Sequence, residues 1–235
     1  MNREKKVRLI CWIICEVLAV GTVICLLSGG MNEGLLLALA TPLILLLPSL
    51  AEKLFRCKVS LPIFIFGLVY AMGPMLGQCW KLYYVTNWWD KALHISGGVM
   101  FALVGWFICQ KLTGDTQKKV ITALFALCFS VALAAVWEFI EFGADQLCGM
   151  DMQNDRIITH IVSYDLGPAP GVLGSIDSIG QVSIDGVSLP FAGYLDIGLH
   201  DSMWDMILES LGALITAIIC YFSKNNHLGF IPEES

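Results

Sequence analysis

Six stretches of this chain are apolar for about twenty residues at a time: 7–28, 31–50, 59–80, 88–109, 120–142 and 201–222. A run of that length matches the roughly 30 Å hydrocarbon core of a bilayer when wound at 1.5 Å per residue. Backbone polar groups in lipid must be satisfied internally, so helices are the available solution for such runs. The sequence therefore predicts an all-α, polytopic membrane helix bundle of about six spans. The second run contains Pro42 and Pro48 and is expected to be kinked or short.

Composition supports that class. Apolar residues make up 57% of the 235 and charged residues 14%, a balance rare in soluble domains. A chain of this size makes one integral membrane domain, residues 1–235. Its net charge of −6 gives no reason to expect nucleic acid as a partner; the expected surroundings are the lipid bilayer. The nine cysteines form no CxxC pair and no Cys/His zinc spacing, so packing is their expected role. Cys79, at the outer end of the third run, and Cys148, beyond the fifth, could both lie outside the membrane, which leaves a disulfide between them open. The basic N-terminus before the first run resembles a signal peptide. The run is long, Glu16 interrupts it, and no small-residue cleavage motif follows, so it reads as a retained helix.

Lys and Arg set the orientation. With the N-terminus in the cytoplasm, Arg3, Lys5, Lys6, Arg8, Lys53, Arg56, Lys58, Lys111, Lys118, Lys119 and Lys224 are all inside. Only Lys81, Lys91 and Arg156 of the fourteen basic residues lie outside. Both termini are then cytoplasmic, in a bacterial plasma (inner) membrane, and the Gly-, Pro- and Asp-rich segment 143–200 is one long external loop between the fifth and sixth spans. Within it, residues alternate around Asp185-Gly186, the signature of a tight hairpin. A loop this long is either a binding element or lid, or a variable connection.

Three acidic patterns stand at the ends of these runs: Asp90-Lys91-x-x-His94, Trp137-Glu138-x-x-Glu141 and Asp201-x-x-x-Asp205. The charge-based topology brings all three to the outer leaflet. Helical spacing gives each a single face: Asp90 with His94, Glu138 with Glu141 and Asp145, Asp201 with Asp205 and Glu209. Asp90 and Asp201 can be read as helix N-caps, where a carboxylate is favoured. Glu138 and Glu141 cannot, because they lie at a helix C-terminal end that opposes negative charge. Asp145 reads as solvated loop. Glu209, deeper in the sixth span, is either part of the site or a neutral acid hydrogen-bonded to another helix.

Lys91 and a protonated His94 cannot neutralise Asp90, Glu138, Glu141, Asp201 and Asp205 together. A divalent cation can, and carboxylates with one imidazole suit Zn²⁺, Mn²⁺, Fe²⁺ or Mg²⁺. The candidate metal ligands are Asp90, His94, Glu138, Glu141, Asp201 and Asp205. Proton sharing between the acids is the alternative. His200 is a weaker candidate; His160 and His227 are expected in solvent. Gly97-Gly98 and Gly212-Ala213 allow close helix approach. Trp80, Tyr83, Tyr84, Trp88 and Trp89 form an interfacial aromatic belt.

Several of these motifs occur together in Trp89-Asp90-Lys91-x-x-His94-x-x-Gly97-Gly98, Trp137-Glu138-x-x-Glu141, Gly193-Tyr-Leu-Asp-Ile-Gly198 and Asp201-Ser-Met-Trp-Asp205. In this combination, over roughly 88–213, the chain resembles the YjdF-type bacterial inner-membrane proteins. It is more loosely similar to VanZ-like proteins, which share an Asp-Lys-x-x-His start and a later Asp-x-x-x-Asp helix. The resemblance implies a multi-spanning membrane protein and supplies no substrate. Glu209 departs from the Asn that stands there in related chains.

Three functions remain open. A metal-dependent hydrolase or transferase would act on a lipid or an envelope precursor, although no decisive catalytic motif is present and the catalytic residues are unassigned. A small-solute or ion transporter would more usually place its site near the midplane on broken helices. A structural or stress-related membrane protein would use the carboxylates to hold its helices together.

Overall fold

A computed structural model describes residues 3–31, 34–86, 88–114, 118–223 and 230–232. His227 and Lys224 lie outside the described residues. The helices are α1 (Arg3–Ser28), α2 (Leu35–Ile44), α3 (Leu47–Phe55), α4 (Leu61–Cys79), α5 (Leu82–Val85), α6 (Trp89–Thr113), α7 (Lys119–Cys148) and α8 (Leu199–Phe222). Six helical stretches are long and apolar enough to cross a membrane: α1, α2 with α3, α4, α6, α7 and α8. The chain is mostly helical, as its apolar runs require.

The expected break in the second run falls between Ile44 and Leu47. Pro42 lies inside α2, and Pro48 occupies the first turn of α3, where a missing N–H costs nothing.

The helices carry large apolar side chains on their outside, and they bury ionisable residues as well as an apolar core. Leu9, Ile13, Val17, Leu36, Leu43 and Phe139 are exposed, while His94, Glu138, Glu141, Asp205 and Glu209 are buried. This arrangement suits lipid, where apolar side chains lose nothing by facing outward and ionisable ones need protein partners.

Two compact units divide the chain, and the division falls within α7 and α8, each an unbroken helix. The first unit comprises 1–134 and 208–235. There α1, α2 and α4 pack on one another, and α4 packs on α6. Small residues let backbones touch: a Cβ on Gly98 would collide with Glu209 O, and one on Gly212 with Ile95 O. Both glycine pairs read from the sequence thus mark the crossing of α6 and α8. At one end of this unit, β1 (Cys57–Val59) pairs antiparallel with β8 (Phe230–Pro232). Arg8 bonds Glu52 Oε1 at 2.7 Å and the Val59 carbonyl, and Glu4 bridges Arg8 (3.1 Å) and Lys58 (3.0 Å).

The second unit comprises 135–207. It is not purely irregular between its helices. It holds β2 (Ile157–Ile158) paired with β7 (Tyr194–Leu195), β3 (Ile161–Ser163) with β4 (Gly174–Ile176), and β5 (Gln181–Ile184) with β6 (Val187–Ala192). The β5–β6 turn is Asp185-Gly186, with φ of 50° and 81°, as a tight hairpin of the mirror-image type demands. Two boundaries differ from expectation. Helix α7 continues to Cys148 rather than ending at 142, because Gly143 takes a helical conformation and Asp145 finds partners. The third span begins at Leu61, because Val59 belongs to β1. All nine cysteines are free, so Cys79 and Cys148 form no disulfide; Cys79 Sγ instead lies 3.5 Å from the Gly34 carbonyl.

Candidate metal centre

The first turns of α6 carry Asp90, Lys91 and His94. Lys91 Nζ lies 2.8 Å from Asp90 Oδ2, and His94 Nε2 lies 3.5 Å from Asp90 Oδ1. The two oxygens of Asp90 are therefore divided between an ammonium and an imidazole. On its other side, His94 Nδ1 faces Glu209 Oε2 on α8 at 3.8 Å, longer than a hydrogen bond. His94 is 7% exposed and Glu209 3%. Beside them, a Cβ on Gly97 would stand 2.8 Å from the Tyr70 hydroxyl and 3.5 Å from Glu209 Cδ. Gly97 is the gap through which both groups reach α6.

On α8 the buried residues Asp201, Asp205 and Glu209 follow at i, i+4 and i+8, the single face their spacing implies. Asp205 stands one turn before Glu209 on the same unbroken helix and is 1% exposed. Asp90, His94 and Asp205 form a group that could hold a metal ion: each offers one ligand atom, and all three atoms lie within 4.8 Å of one another.

Glu138 and Glu141 are buried on α7, and Glu141 Oε1 accepts the Trp137 indole N–H at 2.8 Å. Asp201 is buried at the start of α8 and accepts the Asn154 backbone N–H (3.0 Å) and side-chain amide (3.3 Å) through Oδ2. Asp145, expected in solvent, accepts the N–H groups of Met152 (2.6 Å) and Gln153 (3.0 Å) from within α7. Gln153 in turn donates to Ser202 Oγ at 2.5 Å. Asp145 and Asp201 thus pin the 152–154 stretch. His200 is exposed, its backbone N–H donating to Asp196, and His160 is exposed beside Asp177 at 2.5 Å.

Residues 10–226 match the family model described as "Predicted membrane protein (DUF2238)". The chain belongs to this family. The DUF2238 match spans the six candidate membrane helices nearly end to end and includes every acid and imidazole of the α6 and α8 group. No curated protein and no solved structure matches the chain. For this DUF2238 protein, the chemistry of the group is therefore read from its own residues.

Sequence reasoning passed over Tyr70 and Asn154. Tyr70 carries a weak signal, a hydroxyl in the middle of an apolar span. Asn154 carries none, because it reaches Asp201 from 47 residues away in sequence.

Proposed function

We propose that this protein is a multi-pass membrane protein of YjdF type that binds a divalent cation through Asp90, His94 and Asp205, with Glu138, Glu141 and Asp201 completing the acidic surroundings. The convergence of three ligand atoms within 4.8 Å carries the reading. Two carboxylates and an imidazole are a donor set for Zn²⁺, Mn²⁺, Fe²⁺ or Mg²⁺, and a site with three protein ligands leaves a position for water or substrate. A cation there would polarise a phosphoryl or acyl oxygen and acidify bound water. Hydrolase or transferase chemistry on a lipid or envelope precursor suits such a site at the end of membrane-spanning helices. The basic-residue distribution supports an orientation with both termini cytoplasmic and 143–200 outside a plasma (inner) membrane.

A second reading has its own observation. Lys91 already sits 2.8 Å from Asp90 Oδ2, so the acids could be held by the protein alone, in a structural role without catalysis. Metal content separates the two. The purified wild type, incubated with Mn²⁺, Zn²⁺ or Mg²⁺ and desalted, is expected to retain about one ion per chain. His94→Ala, Asp205→Ala and Glu138→Ala are expected to lose it. A folded wild type that retains none of the three sinks the metal reading.

A further inference from the structure

The imidazole of His94 has two distinct environments. Nε2 faces Asp90, on the side of the three-residue group, and Nδ1 faces Glu209 Oε2 at 3.8 Å. A histidine that ligates through one nitrogen needs the proton on the other, and a buried carboxylate beside that other nitrogen fixes both the tautomer and the ring plane. Glu209 meets the description on three counts. It is 3% exposed, on a helix whose backbone is locked against α6 at Gly98 and Gly212. Its second oxygen, Oε1, is buried with no hydrogen-bond partner among the described residues. A buried acid half unsatisfied is costly where it serves packing alone. Finally, Gly97 leaves the opening that brings its carboxyl and the Tyr70 hydroxyl against α6.

We infer that Glu209 is the positioning residue of this site: it holds the proton on His94 Nδ1 and presents Nε2 as a bare donor toward the position between Asp90 and Asp205. The inference rests on the metal reading for its purpose, but its geometry belongs to His94 and Glu209 alone. On cation binding, the 3.8 Å separation closes to a hydrogen bond of about 2.8 Å.

The test uses the full chain in lipid nanodiscs, labelled with ¹⁵N-histidine, with His94 assigned by its loss in His94→Gln. Wild type without added metal, its ring flanked by Asp90 and Glu209, is expected to carry a proton on Nδ1. Glu209→Leu, close in size and apolar, should shift His94 toward Nε2–H, and Glu209→Gln, which keeps an acceptor oxygen, should restore Nδ1–H. With Co²⁺ as the probe, Glu209→Leu should bind about 10–100-fold more weakly and with an altered visible spectrum, and Glu209→Gln should recover part of both. An unchanged His94 tautomer in Glu209→Leu overturns the inference, as does wild-type Co²⁺ affinity and spectrum in that variant. If the wild type takes no Co²⁺, the metal reading fails separately, and the tautomer measurement still decides the role of Glu209.

Discussion

Trp137 donates its indole N–H to Glu141 Oε1 across 2.8 Å, one turn along α7. The expected position of Glu138 and Glu141 at a helix end does not hold, because α7 runs on to Cys148. The pair puts a neutral donor on a buried carboxyl within the helix, beyond the reach of the terminal dipole. Trp137→Phe keeps an aromatic ring and removes the donor. A loss of about 1–3 kcal/mol is expected, the penalty for leaving a buried acceptor short of a bond. Thermal unfolding in mild detergent reads it, and a variant as stable as wild type would show that Glu141 draws nothing from the indole.

Glycines separate into two groups on α6, α7 and α8. Gly98→Ala and Gly212→Ala force a methyl into the facing backbone and are each expected to cost about 1–3 kcal/mol. A methyl group added at Gly143 would meet nothing within 4 Å, so Gly143→Ala should be neutral or stabilise by about 0.4–1 kcal/mol. Equal melting temperatures for all three variants would contradict the α6–α8 crossing.

Glu52 accepts both Arg8 Nη1 (2.7 Å) and the Val59 N–H (2.8 Å), tying α1 to β1. Glu52→Leu removes both bonds and leaves the Arg8 guanidinium, already short of a partner at Nε among the described residues, with Glu4 and the Val59 carbonyl. The expected cost is about 2–3 kcal/mol, in the range for hydrogen bonds to charged groups. Proteolysis of β1 should accelerate in step; unchanged cleavage would mean the tie does not hold that end closed.

Between α7 and α8, burial works against the charged form of Asp196. The N–H groups of Arg156 and His200 outweigh it and hold the carboxyl below the usual aspartate range. A depressed folded-state value stabilises the segment above the unfolded value, near 3.9, and that contribution is lost as pH falls through the lower folded value. Asp155 is pushed the other way, first by burial and then by Asp151 and Asp196, and its protonation partly offsets the loss. Protection against hydrogen exchange at Arg156 and His200, relative to the intrinsic rate, should therefore fall below about pH 4, and Asp196→Asn should remove that dependence. An acid-induced loss of protection that persists in Asp196→Asn would assign it elsewhere.

The spans were legible because lipid reads composition directly: twenty apolar residues leave a helix as the available solution. The Asp185-Gly186 hairpin was legible because two successive positive φ angles call for those residue types. The shared face of Asp201, Asp205 and Glu209 followed from helical period alone. Pairings between distant segments were not legible. Nothing near Cys57–Val59 announces Phe230–Pro232 as its partner, and nothing in Asn154 announces Asp201. Gly143 and Asp145 looked like loop because their helical propensities are weak. The N–H groups of Met152 and Gln153, which fold back onto Asp145, overrode that preference.

The glycine crossing of α6 and α8 works as an index mark between two sliding rods. A shift of α8 by one turn, about 5.4 Å, would bring Leu208 or Thr216 to the Ile95 carbonyl where only Gly212 fits. The depth of Glu209 relative to His94 is thereby set to a single register. Any motion of this protein that moves one of these helices along its axis must carry the other, so the pairing of His94 with Glu209 survives such a motion intact.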